Sequence, residues 1–251
     1  MKIKTAPSLI ASLTLAAACL PGPATAEPAI DAKADALVRA MSTYMAGLKQ
    51  FSVQTENTLE IVSVEGQKIQ FTSPASVTVS RPDKLLAERR GDIVEQMFYY
   101  DGKTLTLYNP ASKHYATVDA PADIDAALEF ARTRLDIFAP GGDLIDSRAY
   151  EHLMQDVSKG SYLGMAVVGG QRCHHLAFRA AEVDWQLWVR DGKQPAPCKY
   201  IITSRDVAGA PQFTVQITKF DAAPKVSAGQ FRFVPPAGAR QIGFIPPAQT
   251  R

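Results

Sequence analysis

Apolar residues recur at every second position through most of this chain, and that periodicity limits the possible folds more than any other feature. Phe51/Val53, Leu59/Ile61, Ile69/Phe71 and Ala75/Val77/Val79 alternate with polar residues around a turn at Glu65-Gly66, as half-buried antiparallel strands do. Leu85 to Arg90 and Val94 to Tyr100 read as extended, and Asp101-Gly102, a strong hairpin signal, leads into Leu105/Leu107 and then Tyr115 to Val118. Strands resume at Tyr162 to Val168, Cys173 to Phe178, Val183 to Val189, Tyr200 to Thr203 and Phe213 to Ile217, with Phe231 and Phe233 ending the series.

Three segments break the pattern. Asp31 is placed to cap a helix in which Ala34, Leu37, Val38, Met41, Tyr44, Met45 and Leu48 share a face. Pro121 and Asp123 open a second helix bearing Ile124, Ala127, Leu128, Ala131 and Leu135. After Pro140-Gly141-Gly142 a third carries Ile145, Ala149, Leu153 and Met154. Strands do not alternate with helices, which argues against a parallel sheet, and no linker marks a domain boundary. The expected fold class is α+β: one curved antiparallel sheet of about eleven strands, with the helices on its concave side. A sheet with one dry face must fill that face with side chains, helices or a ligand.

The N-terminus reads as an export signal. Lys2 and Lys4 precede the apolar run Ser8 to Ala18, and Ala24-Thr25-Ala26 offers small residues for cleavage after Ala26. An uncleaved anchor or lipidation at Cys19 are the alternatives. Residues 27–251 then form the exported domain, in the periplasm. Losing two lysines from 27 basic residues balances the 25 acidic ones. No like-charged block remains to bind nucleic acid, and no later stretch is long and apolar enough to span a membrane as a helix. Cys173 and Cys198 become the only thiols in an oxidising compartment, where a disulfide is the default expectation. Against it, strand ends separated by one intervening strand lie about 10 Å apart, beyond the usual limit of roughly 7 Å.

No motif calls for a cofactor, a metal or catalysis. His174 and His175 are strand neighbours and point to opposite faces, so they cannot chelate one metal together, and His114 and His152 stand apart. Gly-x-Ser-x-Gly and Gly-x-Gly-x-x-Gly are absent. Asp123 and Asp125 suit a helix start. Trp185 and Trp188 differ by three on a strand and face opposite ways, one toward core or cavity, the other outward.

Several strings resemble, in order, the landmarks of the periplasmic outer-membrane lipoprotein carriers: Ser80-Arg81-Pro82-Asp83-Lys84-Leu85, Tyr100 to Pro110 around Asp101-Gly102-Lys103, and Phe231 to Ala239. The stretch from Cys173-His174-His175 through Trp185-Gln186-Leu187-Trp188 is similar to a bacterial family of predicted periplasmic proteins of unknown function, a relative of the carriers. The resemblance implies an incomplete β-barrel closed by helices, with an apolar interior for acyl chains and no catalysis. It places Arg81 where the carriers have the arginine that governs lid closure. The charged run Glu88-Arg89-Arg90 replaces a more aromatic strand of the carriers, which counts against transfer of true lipoproteins. The ligand-contact residues expected on this basis are Arg81, Leu85, Phe98, Tyr100, Leu105, Leu107, Trp185 and Leu187.

The expected function is non-catalytic binding of a lipid or acylated ligand. Burying a methylene is worth about 0.8 kcal/mol, so a sixteen-carbon chain gains roughly 12 kcal/mol before association costs of similar size. The alternative is an envelope interaction or regulatory module whose interior is filled by its own side chains.

Overall fold

The computed structural model describes residues 29–137 and 141–244. The export signal, Cys19 and the cleavage site after Ala26 lie outside the described residues. Helix α1 spans Ala32–Gly47, and the Asp31 carboxylate caps it by accepting from the N–H groups of Lys33 at 2.7 Å and Ala34 at 3.3 Å. Ala34, Val38, Met41 and Met45, three or four residues apart, are buried along one face.

A six-strand meander follows: β1 (Gln50–Val62), β2 (Lys68–Ser80), β3 (Lys84–Arg90), β4 (Glu95–Tyr100), β5 (Thr104–Asn109) and β6 (His114–Asp119). Next come α2 (Ile124–Arg134), a single 3-10 turn at Gly142–Leu144 and α3 (Ala149–Met154). A second meander comprises β7 (Lys159–Val168), β8 (Gln171–Arg179), β9 (Val183–Arg190), β10 (Pro197–Ser204) and β11 (Gln212–Asp221), and β12 (Arg240–Gln241) ends the series. The strands form one open sheet in the order β12-β6-β5-β4-β3-β2-β1-β11-β10-β9-β8-β7. Pairing of β1 with β11 joins the two meanders. The segment from β6 to β7 must therefore pass from near one edge of the sheet to the other, and this topology carries α2, the 3-10 turn and α3 across the curved face.

Three expectations are corrected. Among the described residues there are twelve strands, not eleven, and β12 pairs parallel to β6, so the sheet is not wholly antiparallel. Phe231 and Phe233 do not form a strand. Phe231 closes a 3-10 turn, and Phe233 packs at 5.0–5.3 Å against Tyr99, Tyr108 and Tyr115, because the tail crosses the outer face of β4–β6. The third helix starts late: the Asp146 carboxylate accepts the Arg148 N–H at 2.7 Å, and Asp125 binds Ser147. These side chains compete with helical hydrogen bonds until Ala149.

Cys173 and Cys198 are bridged, with Cα atoms 6.9 Å apart. The strands are placed as expected, β8 and β10 flanking β9, but the flat-sheet spacing fails. A bulge between Pro197 and Lys199 leaves Cys198 out of the ladder, and Cys198 and Lys199 both lie on the outer face with Trp188. His175 stacks on Trp188 at 4.0 Å, so this outward tryptophan is buried beside the disulfide, 8% exposed. The bridge closes a 25-residue loop, worth about 3 kcal/mol on the loop-entropy model. The double variant Cys173→Ser/Cys198→Ser loses about that much in urea unfolding while keeping the native far-UV spectrum; an unchanged midpoint contradicts this.

Candidate functional site

The register of the sheet sets out the inner face as cross-strand rows. Phe51, Val79, Leu85, Tyr100 and Leu105 form one row and are all at most 3% exposed. The next row is Val53, Val77, Ala87, Phe98 and Leu107. The third is Thr55, Ala75, Arg89 and Gln96, and Asn57 follows along β1. The inner face thus grades from wholly apolar to polar over two strand repeats, about 13 Å.

The helices do not cover this face evenly. Helix α1 lies against β7 and β9, and its Val38, Met41 and Met45 pack in the same cluster as Leu176, Phe178, Trp185, Leu187 and Val189. Over β1–β5, β10 and β11 the roof is thinner. Leu128 and Ala131 of α2, Ile137, Leu144 and Ile145 stand across a cavity of about 880 Å³ from Val53, Val77, Ala87, Phe98, Leu107, Phe213, Val215 and Ile217. That volume lies within the roughly 300–1,000 Å³ of small-molecule sites, and such sites are lined mainly by apolar residues, as this one is.

Of the expected contact residues, Leu85, Phe98 and Leu107 line the cavity. Arg81, Tyr100, Leu105, Trp185 and Leu187 do not, and the last four are each at most 3% exposed. The alternation located the correct face but not which part of it the helices fill: α1 lies against β7 and β9, and Tyr100 meets the segment that enters α2 at Pro121. Trp185 stacks on Phe178 at 4.1 Å and meets Tyr200 edge-on at 6.1 Å. Tyr100 donates its hydroxyl to the Pro121 carbonyl, and burial pushes the phenol up to about 12. Ala75, Val77, Ala87, Arg89 and Gln96 also line the cavity, although they are not among the expected contacts. The signal that reveals them is the continuation of the same alternation along β2–β4.

Arg81 stands at the edge of the lid. Its guanidinium donates to the Ile145 carbonyl and lies 3.8 Å from the Asp125 carboxylate, with Nε unpartnered. It therefore ties the β2–β3 turn both to α2 and to the segment leading into α3. Burial lowers its pKa, against the attraction of Asp125 and Asp146.

Asp146 on the roof is nearly buried, with His152 Nδ1 3.5 Å away. Asp143 lines the cavity with an exposed side chain, and the loss of part of its hydration to the surrounding protein raises its carboxyl above the usual range. Arg89 donates to Gln96 Oε1 at 3.2 Å, and burial lowers its pKa with no neighbouring carboxylate to oppose it. His174 lies between Tyr162, at 3.2 Å, and Asp191, also at 3.2 Å, and does not line the cavity. Among the described residues no cluster of three or more His, Cys, Asp or Glu is placed to hold a metal, and no helix is long and apolar enough to cross a membrane.

Solved structures with similar chain paths include an uncharacterized conserved protein from Thermus thermophilus, 10% identical, covering 84% of this chain and 99% of its own with a TM-score of 0.49. The lipoprotein LppX of Mycobacterium tuberculosis is 14% identical over 78% of this chain and 100% of its own, with a TM-score of 0.49. A LolA superfamily protein from Nitrosomonas europaea is 10% identical over 80% of this chain and 97% of its own, with a TM-score of 0.39. No curated protein matches the chain. The family model described as "Predicted periplasmic protein (DUF2092)" matches residues 34–245. The chain belongs to that family of predicted periplasmic proteins.

Proposed function

We propose that residues 27–251 form a periplasmic binding protein that shelters the acyl chain of a lipid or acylated molecule between sheet and lid, without turnover. The observation that carries this reading is the largely apolar cavity of about 880 Å³ between the curved sheet and the segment that crosses it. The first row of the inner face, with Met45, closes one end. A fluorescent acyl probe titrated into delipidated protein tests the reading. Saturable binding of one probe per chain, reversed by palmitate, supports it, and emission that never saturates contradicts it.

Arg81 is the proposed latch, since its bonds to Ile145 and Asp125 hold the roof to the sheet. A hydrogen bond to a charged group contributes about 1.5–3 kcal/mol, so Arg81→Leu releases bound probe about tenfold faster or more. Its Tm moves little, because Arg81 Nε is already unsatisfied and Asp125 keeps its bonds to Ser147. Loss of folding would instead assign Arg81 a purely structural role.

One observation favours the second reading, an envelope interaction module. The edge strand β7 leaves Leu163, Met165 and Val167 between 43% and 71% exposed. Strand addition by a partner protein would cover such an edge.

A further inference from the structure

We infer that Arg89, steadied by Gln96, is a subsite for an anionic headgroup, so that the sheltered ligand is an amphiphile with a carboxylate or phosphate at the polar end of the cavity. The inference rests on the acyl-binding reading and specifies the ligand within it.

The rows provide the geometry. An acyl chain whose end lies by Leu85 and Phe51 passes Ala87 and Phe98 and reaches Arg89 about 13 Å further on. One acyl layer fills half of the roughly 30 Å hydrocarbon core of a bilayer, about 15 Å. A tail seated on the apolar rows therefore brings its head to the third row.

The chemistry of Arg89 is unlike that of its neighbours. Arg90 next to it reaches solvent and lies 3.7 Å from Glu95, and Lys84 at the other end of β3 lies 2.9 Å from Asp83. Arg89 is part-buried, lines the cavity and has no carboxylate partner among the described residues. Of the carboxylates that line the cavity, Glu129 pairs with Arg132 at 2.8 Å and Asp146 lies beside His152 and Arg148, while Glu88 and Asp143 make no ion pair among the described residues. Keeping a cation out of water without a counter-ion is costly, and an anionic ligand would remove that cost. The guanidinium fork also matches carboxylate or phosphate geometry. One row further on, Asn57 is 7% exposed and its amide oxygen has no partner, a second polar group at the same end. The strand Leu85–Arg90, where the sequence departs from the carriers, thus supplies both the tail-facing and the head-facing residues.

The test compares palmitate, hexadecyl phosphate and hexadecanol, which share a tail, as competitors of the acyl probe on the full exported chain. Wild type is expected to hold at least one anionic ligand about tenfold tighter than hexadecanol. In Arg89→Gln that preference falls to near one while hexadecanol is held as before, and Arg89→Lys retains part of it. Should Arg89→Gln fail to fold, Gln96→Leu serves, with the preference reduced several-fold. Equal affinity for all three ligands in wild type, or an unchanged preference in Arg89→Gln, overturns the subsite and leaves acyl binding intact. Failure of all three to displace the probe overturns acyl binding itself. Displacement by inorganic phosphate alone would mark a free-anion site and overturn the amphiphile.

Discussion

Replacing Trp185 by alanine lowers the unfolding free energy by about 3–5 kcal/mol, the usual cost of emptying a large aromatic position in a packed core. The ring is 3% exposed, stacks on Phe178 at 4.1 Å and lies within the cluster that α1 seals with Val38, Met41 and Met45. The lost contacts leave a cavity that the surrounding strands cannot close, since β8 and β10 hold β9 in register on both sides. Denaturant titration reads the loss, and probe affinity per folded molecule stays at the wild-type value. If Trp185→Ala instead kept its stability and lost the probe, the ligand would lie under α1 and the cavity would be misassigned.

Ala87→Phe has the opposite profile. Ala87 stands in the middle of the cavity floor between Val77 on β2 and Phe98 on β4. A benzyl group there enters empty space, so stability holds or rises slightly. It takes the volume of about four to six methylenes of ligand, at about 0.8 kcal/mol each, which weakens acyl binding by two to three orders of magnitude. Ala87→Ser, which adds little volume, keeps most of the affinity. A large loss of Tm in Ala87→Phe without a change in probe binding would mean that the space beside Ala87 is not where the chain lies.

The two variants divide the inner face where the sequence could not. Alternation placed Trp185, Leu187, Leu85 and Phe98 on one dry face, and separated Trp185 from Trp188 by parity alone. The hairpin at Asp101-Gly102 was equally readable: Gly102 has φ +85, and a Cβ there would run into the Asp83 carboxylate. Asp31 and Asp123 cap α1 and α2 as their positions suggest. What local pattern does not carry is long-range placement. The joining of β1 to β11 sends the helical segment across the sheet, and the positions of α1 and α2 together decide which apolar residues are core and which remain as cavity wall. The bulge at Cys198 escaped for the same reason, because it is visible only against its partner strand. Arg89 reads in the sequence as one of several charges on β3, and only the register sets it opposite Gln96 at the polar end of the cavity.

Mass spectrometry under non-denaturing conditions, on protein released gently from its own periplasm, tests the central claim most directly. The account predicts a species heavier than the processed chain by one acyl-bearing molecule, which organic extraction then recovers in about equimolar amount. A bare polypeptide mass, with nothing acylated in the extract and no uptake of added fatty acid, would contradict it.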